Sequence, residues 1–154
     1  LALIAGFGYM GYTHAIENEP IEEKVFHLQN QLDYVSFEDI SPQYINALVA
    51  IEDQRFYKHG GVDYIALIRI SIANMMAKEI LGGGSTITQQ LAKNLYFMES
   101  TSMTRKISEA FVAFELEKKY SKEEILEFID SQNDIQSKQS WSNCRIIYSG
   151  WKII

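Results

Sequence analysis

Apolar residues recur along this chain in blocks of helical length, separated by glycine-rich and polar breaks. The first block, Leu1 to Tyr12, carries no charge. It is shorter than the roughly 20 residues a helix needs to cross a bilayer. Gly6, Gly8 and Gly11 disfavour a soluble helix and are better tolerated in a membrane helix. Three readings stay open for it: the outer end of a transmembrane helix, a buried core segment, or a signal-peptide remnant. The expectation carried forward is the end of a membrane anchor over 1–12. Residues 13–35 read as a mixed polar linker, with one strand around Val25–Leu28.

Helical signals then dominate. Ser41 suits an N-cap and Pro42 a first helical turn. Ile45, Leu48, Val49 and Glu52 follow at helical spacing, and the pattern predicts a helix ending near Phe56, before the His59-Gly60-Gly61 break. A second helix fits Tyr64 to Ile80, stopped by Gly82 to Gly84. A third starts near Thr86, and a fourth spans Thr104 to Lys119. A fifth begins at Ser121, where Ser121 and Glu124 have capping-box spacing. No strand-like alternation competes, so the fold class is mainly α. The second helix is apolar on all sides: Ile65, Leu67, Ile68, Ile72, Met75 and Met76 surround its axis. Such a helix is fully buried or faces lipid. Burial is the default expectation and a lipid-facing surface the alternative.

Composition changes this picture little. The chain has 154 residues, with 47% hydrophobic and 22% charged residues, as expected of a folded domain. Its formal net charge of −6 speaks against nucleic-acid binding. An anionic ligand must therefore meet a local cluster of cations. Cys144 is the only cysteine, which excludes an internal disulfide and a cysteine-based zinc site.

Three segments carry candidate chemistry. Glu52 and Asp53 sit where an apolar helix ends. Helical spacing from Leu48 and Val49 places Glu52 near a semi-buried surface, where desolvation favours a base working near neutral pH. The plainer reading is that both carboxylates merely pair with Arg55 or Lys58. In "GGGSTITQQLAKN", Gly82 to Asn94, backbone N–H groups near a helix start favour an anion. It is not a P-loop, since no Gly-Lys-Ser/Thr follows at the required spacing. Arg105, Lys106 and Glu109 lie along one helix. They form either an exposed i,i+4 ion pair or a phosphate-binding cationic pair beside a second carboxylate.

Taken together, these segments resemble a known family. Glu52-Asp53-x-x-Phe56-x-x-His59-x-Gly61 is similar to the first signature of the peptidoglycan glycosyltransferases (glycosyltransferase family 51). This family comprises monofunctional transglycosylases and the glycosyltransferase domain of class A penicillin-binding proteins. Gly84-Ser85-Thr86-Ile87-Thr88-Gln89-Gln90 with Lys93-Asn94 resembles the second signature, and Arg105-Lys106-x-x-Glu109 the third. The resemblance covers 36–128, read as a partial glycosyltransferase domain.

The resemblance implies a lysozyme-like α fold with a head lobe and a smaller membrane-facing jaw. It implies lipid II and the growing lipid-linked glycan as substrates, joined through β-1,4 bonds with release of undecaprenyl diphosphate. Glu52 is the expected general base on the acceptor hydroxyl. Glu109 is the second catalytic carboxylate, near the donor diphosphate. Ser85, Thr86, Gln89, Gln90, Lys93, Asn94, Arg105 and Lys106 are the expected substrate-binding set; for Ser85 and Thr86 helix capping is an equal explanation. Asp53, Phe56, His59, Gly61 and Gly84 are expected to shape the site. A divalent cation, Mg or Mn, is expected to assist at the diphosphate without certain protein ligands, and no organic cofactor is implied. The implied location is the bacterial cell membrane, with a single-pass anchor, an extracytoplasmic domain and cell-wall synthesis proteins as partners.

The family pattern stops after Phe128. Where the family has a Tyr-Leu-Asn-like triplet, this chain has Ser131 at the asparagine position. Residues 129–154 read as a non-family, poorly ordered tail, leaving the head lobe incomplete. The alternative function is therefore a non-catalytic remnant that at most binds lipid-linked precursor. A lysozyme-like hydrolase is disfavoured, because the basic pair suits a diphosphate donor better than a neutral glycan.

Overall fold

The computed structural model describes residues 2–32, 34–77, 84–98 and 104–132. Among them are seven α-helices and no strand: α1 (Ala2–Asn18), α2 (Ile21–Gln29), α3 (Pro42–Glu52), α4 (Tyr64–Ala77), α5 (Ile87–Ala92), α6 (Arg105–Lys119) and α7 (122–132). The mainly α expectation is met. The end of the second predicted helix and residues 133–154, including Cys144 and most of the expected tail, lie outside the described residues.

The core is built from one face each of α2, α5, α6 and α7. On α6, Ser108, Glu109, Val112, Ala113 and Leu116 fall on a single stripe and are all buried. Leu91 and Ala92 of α5, and Ile125, Leu126 and Phe128 of α7, pack with them around Phe56.

The strand expected around Val25–Leu28 is instead helix α2. Ile21, Val25 and Leu28 recur at i, i+4 and i+7, and all three are buried. Glu22 and Glu23 in its first turn complement the helix dipole. Helix α3 stops at Glu52, short of the expected Phe56, because Asp53 leaves the helical region (φ −157°, ψ 75°). A separate 3-10 turn, Phe56–Lys58, follows. Ser41 does not cap α3: its Oγ donates to Gln43 Oε1 at 2.8 Å.

Helix α7 starts as predicted. Ser121 N–H donates to Glu124 Oε2 at 2.7 Å, and Glu124 N–H to Ser121 Oγ at 3.2 Å. It does not break at Phe128, however. Ile129 and Ser131 are buried, so 129–132 continue the packed helix. Glu127 fastens it to the segment before α3, accepting from Tyr34 Oη and from Phe37 N–H at 3.1 Å.

Helix α4 overturns the default expectation of burial. None of its residues is buried, and Met75 and Met76 are 74% and 78% exposed. Helix α1 lies along α6, with Ser108 Oγ donating to Gly8 O at 2.8 Å. No described helix is long and apolar enough to cross a membrane.

Candidate active site

The corner after α3 is a closed polar network. Asp53 is buried and pairs with His59 Nε2 at 2.9 Å. Its Oδ2 also accepts the Ile87 N–H of α5 at 3.2 Å. Arg55 Nε pairs with Asp63 at 2.9 Å, and Asp63 Oδ1 caps α4 by accepting from Ile65 and Ala66 N–H at 3.0 Å each. Burial works to raise the Asp63 carboxyl. The Ala66 N–H and the Arg55 guanidinium outweigh it and hold it below its ordinary value. Neither Glu52 nor Asp53 takes Arg55 or Lys58 as an ion-pair partner, so the plainer sequence reading fails here.

Gly61 adopts φ +88°, and a Cβ there would sit 3.0 Å from the Ala113 backbone, so only glycine fits. Phe56 is fully buried. Lys122 Nζ, from the first turn of α7, lies 4.2 Å from the Phe56 ring centroid and donates to His59 O at 2.8 Å. It also pairs with Glu117 at 2.8 Å, which accepts from Thr88 Oγ1 at 2.6 Å. This brace ties α5, α6 and α7 to the corner.

Glu52 departs from expectation. It is the last residue of α3 and stands exposed, because the helix ends there and its carboxylate leaves the packed face. Its Oε2 accepts from Gln90 Nε2 at 2.8 Å.

In the glycine-rich cassette, Thr86 caps α5 through a capping box. Gln89 N–H donates to Thr86 Oγ1 at 3.1 Å, and Thr86 N–H to Gln89 Oε1 at 3.1 Å. Thr86 Oγ1 also donates to Gly61 O at 2.5 Å. Thr86 therefore fills the capping role that the sequence offered as one of its two explanations. Gln89 shares that duty although it was expected only to bind substrate, and it is buried. Gly84 packs close on α4, where a Cβ would be 3.2 Å from Ile70 Cγ2. After Ala92 the helix widens into a π-turn, Lys93–Phe97, a form frequent at functional sites.

On α6, Glu109 is fully buried and meets two cations, Arg105 Nε at 3.0 Å and Lys106 Nζ at 2.7 Å. The i,i+4 pair of the plainer reading does form, but around a buried carboxylate, which an exposed pair would not need.

Two cavities meet at Glu52. The larger, about 450 Å³, is lined by Glu52, Ser85, Gln90, Lys93, Arg105 and Lys106, with Gln89 and Glu109 at its base. The smaller, about 170 Å³, has Glu52, Ser85, Arg55, Asp63 and Arg69 on its walls. Residues from all three signatures thus line one cavity. Asn94 is not part of that lining among the described residues. The sequence offered Arg55 only as an ion-pair partner and gave Asp63 and Arg69 no role at the site, although Arg69 is the single charge in the apolar stretch Tyr64–Ala77, which was a usable signal.

The donor set does not fit a protein-held divalent cation in the larger cavity. Glu109 has a cation on each oxygen, and the one carboxylate–histidine cluster among the described residues, Asp53, His59 and Asp63, lies elsewhere. Its oxygens already accept from His59, Arg55 and backbone N–H groups.

Comparison with known proteins is consistent with this geometry. A family model described as Transglycosylase matches residues 17–132. Penicillin-binding protein 1A of Aquifex aeolicus is 46% identical over 99 residues, 64% of this chain and 14% of the relative. A monofunctional glycosyltransferase of Staphylococcus epidermidis is 40% identical over 121 residues, 78% of this chain and 44% of the relative. Penicillin-binding protein 2D of Bacillus subtilis is 46% identical over 94 residues, 61% of this chain and 14% of the relative. The chain spans less than half the length of each of these relatives.

Proposed function

The chain belongs to the transglycosylase family, and from that premise we propose that it is a peptidoglycan glycosyltransferase that polymerises lipid II into β-1,4-linked glycan strands. The observation that carries the reading is the position of Glu52 on the wall shared by two cavities, only one of which is lined by the Lys93, Arg105 and Lys106 cations. A transferase needs a base between a donor and an acceptor, and the three clustered cations of the larger cavity suit the donor's diphosphate; in the smaller cavity Arg55 is paired with Asp63.

In the proposed step the acceptor 4-hydroxyl oxygen attacks the anomeric carbon of the donor. The bond from that carbon to the diphosphate oxygen breaks, and the electron pair leaves with undecaprenyl diphosphate. Glu52 takes the hydroxyl proton. The leaving group is already a weak base, so it needs compensating charge more than a proton. Lys93, Arg105 and Lys106 supply that charge in a partly enclosed cavity, where it counts for more than in water. Buried Glu109 holds Arg105 and Lys106 in place by charge. No step is routed through a divalent cation, because the described residues offer no ligand set for one in this cavity.

The substrate's diphosphate sits at a membrane surface, and the exposed apolar face of α4 flanks the smaller cavity. That face supports docking on the outer surface of the bacterial cell membrane.

The test is lipid II polymerisation followed against release of fragments from preformed glycan. Glu52→Gln is nearly isosteric and is expected to fold normally while losing about 10²–10⁴-fold in polymerisation rate, the usual contribution of a general base. Activity within about threefold of wild type, far below that range, removes Glu52 from the role. Fragment release without polymerisation favours a hydrolase.

A further inference from the structure

Glu52 is exposed at the end of α3, so the packing of that helix does not fix where its carboxylate points. A long exposed side chain retains rotamer freedom, and holding it in one orientation costs free energy. A general base must nevertheless lie within about 2.6–3.2 Å of the proton it removes. One hydrogen bond supplies the missing constraint. Gln90 Nε2 donates to Glu52 Oε2 at 2.8 Å, and among the described residues Oε1 accepts no hydrogen bond.

Gln90 is itself held in register. The Thr86–Gln89 capping box closes the first turn of its helix. The Ile87 N–H of the same turn binds Asp53, the residue next to Glu52. The donor and the base are therefore fixed to one frame by neighbouring contacts, one structural and one at the site.

We infer that Gln90 is the positioning residue for the Glu52 carboxylate: it holds Oε2 and leaves Oε1 as the oxygen that takes the acceptor proton. The inference rests on the reading of Glu52 as the base. Gln90 gives up no proton in the step, since an amide N–H is far too weak an acid. Its bond to Glu52 is charge-assisted before the transfer and neutral after it. The second N–H and the carbonyl of the same amide stay available to substrate, so this role is compatible with a place in the cavity wall.

The test has one arm with turnover and one without. In 15N-labelled protein without substrate, the Gln90 side-chain amide is expected to give a displaced, slowly exchanging resonance that returns to the free-amide position in Glu52→Ala. A resonance indifferent to Glu52→Ala overturns the inference. With lipid II at saturation, Gln90→Met is expected to lower kcat by about tenfold or more, the order of one hydrogen bond to a charged group. Gln90→Glu is expected to be worse than Gln90→Met, because it sets a like charge against the base. A change confined to KM marks Gln90 as a substrate ligand only and overturns the positioning role. Wild-type protein without polymerising activity overturns the functional reading. That failure is distinct, because the amide resonance reads the Gln90–Glu52 contact without turnover.

Discussion

At the scale of single residues, the second carboxylate shows how burial and charge divide the work. Glu109 has no exposed surface, whereas Arg105 and Lys106 keep 28% and 49% of their side-chain surface exposed. The cations can be re-solvated if Glu109 is removed, but Glu109 cannot be if both cations go. Removing one cation leaves the other in place, so Arg105→Ala or Lys106→Ala alone is expected to cost about 1 kcal/mol or less, as for part-exposed pairs. Removing both strands a buried charge, which typically costs about 3–5 kcal/mol. The double variant should therefore unfold at far lower urea than the two single losses added together. Additive midpoints would show that Glu109 is neutralised by something other than this pair. The sequence made the identity of these residues legible, because Arg105-Lys106-x-x-Glu109 is a fixed spacing along one helix. It did not show which member was buried. That depends on how α1, α5 and α7 surround α6, and no local pattern in the chain records it. Glu52 failed in the opposite direction. Its spacing from Leu48 and Val49 pointed to a semi-buried site, but Asp53 ends the helix there and frees the carboxylate.

At the scale of elements, local periodicity served well wherever a helix packs on one side. The boundaries of α6 and the start of α7 were legible to within a residue, because their caps and apolar stripes are local. Helix α2 was missed because its buried apolar residues are only three, set among glutamates, and its stability comes from tertiary packing and not from its own propensity. The extent of α7 was misjudged because Ser131 is polar; it is buried all the same, with its Oγ donating to Glu127 O at 3.0 Å. Helix α1 carries a further consequence. Its glycines were read as marks of a membrane helix, yet two of them make close contact with α6. A Cβ on Gly8 would lie 2.4 Å from Ile107 Cγ2, whereas a Cβ on Gly6 would meet nothing within 4 Å. Gly8→Ala is therefore expected to destabilise by about 1–3 kcal/mol through overpacking. Gly6→Ala should be neutral or stabilise by about 0.5–1 kcal/mol, since alanine is the better helix former. Pairing Gly8→Ala with Ile107→Ala should recover part of the loss by making room. Thermal midpoints that drop equally for Gly6→Ala and Gly8→Ala would mean that α1 does not pack on α6 through this glycine face.

At the scale of the whole molecule, the apolar surfaces are distributed unevenly. The core is enclosed by α2, α5, α6 and α7, while α4 carries a second apolar surface that nothing in the described chain covers. Tyr64, Ile65, Leu67, Ile68, Ile72, Met75 and Met76 are each 42% or more exposed. An apolar patch of this kind marks an interaction site, not an accident of composition. Its all-round apolarity was legible in the sequence, but the choice between core and surface was not, because a helix buried in protein and one facing lipid have the same pattern. The rest of the fold decides the matter: α4 projects from the corner next to Asp63, and Gly84 approaches it closely, against Leu67 and Ile70. If this face docks on lipid, Met75→Asp sets a charge against the bilayer at a position that bears no core load. Binding to vesicles containing anionic lipid should fall at least about tenfold, because even a modest interfacial penalty of roughly 1.4 kcal/mol has that effect. The thermal midpoint should stay within about 2 °C of wild type, as for a surface change of under about 0.5 kcal/mol. Leu67→Asp is the control with a different expectation, since its side chain is partly covered and its backbone lies near Gly84. It should weaken vesicle binding and also lower the midpoint. A Met75→Asp protein that binds vesicles as tightly as wild type would exclude the exposed end of α4 from the membrane contact.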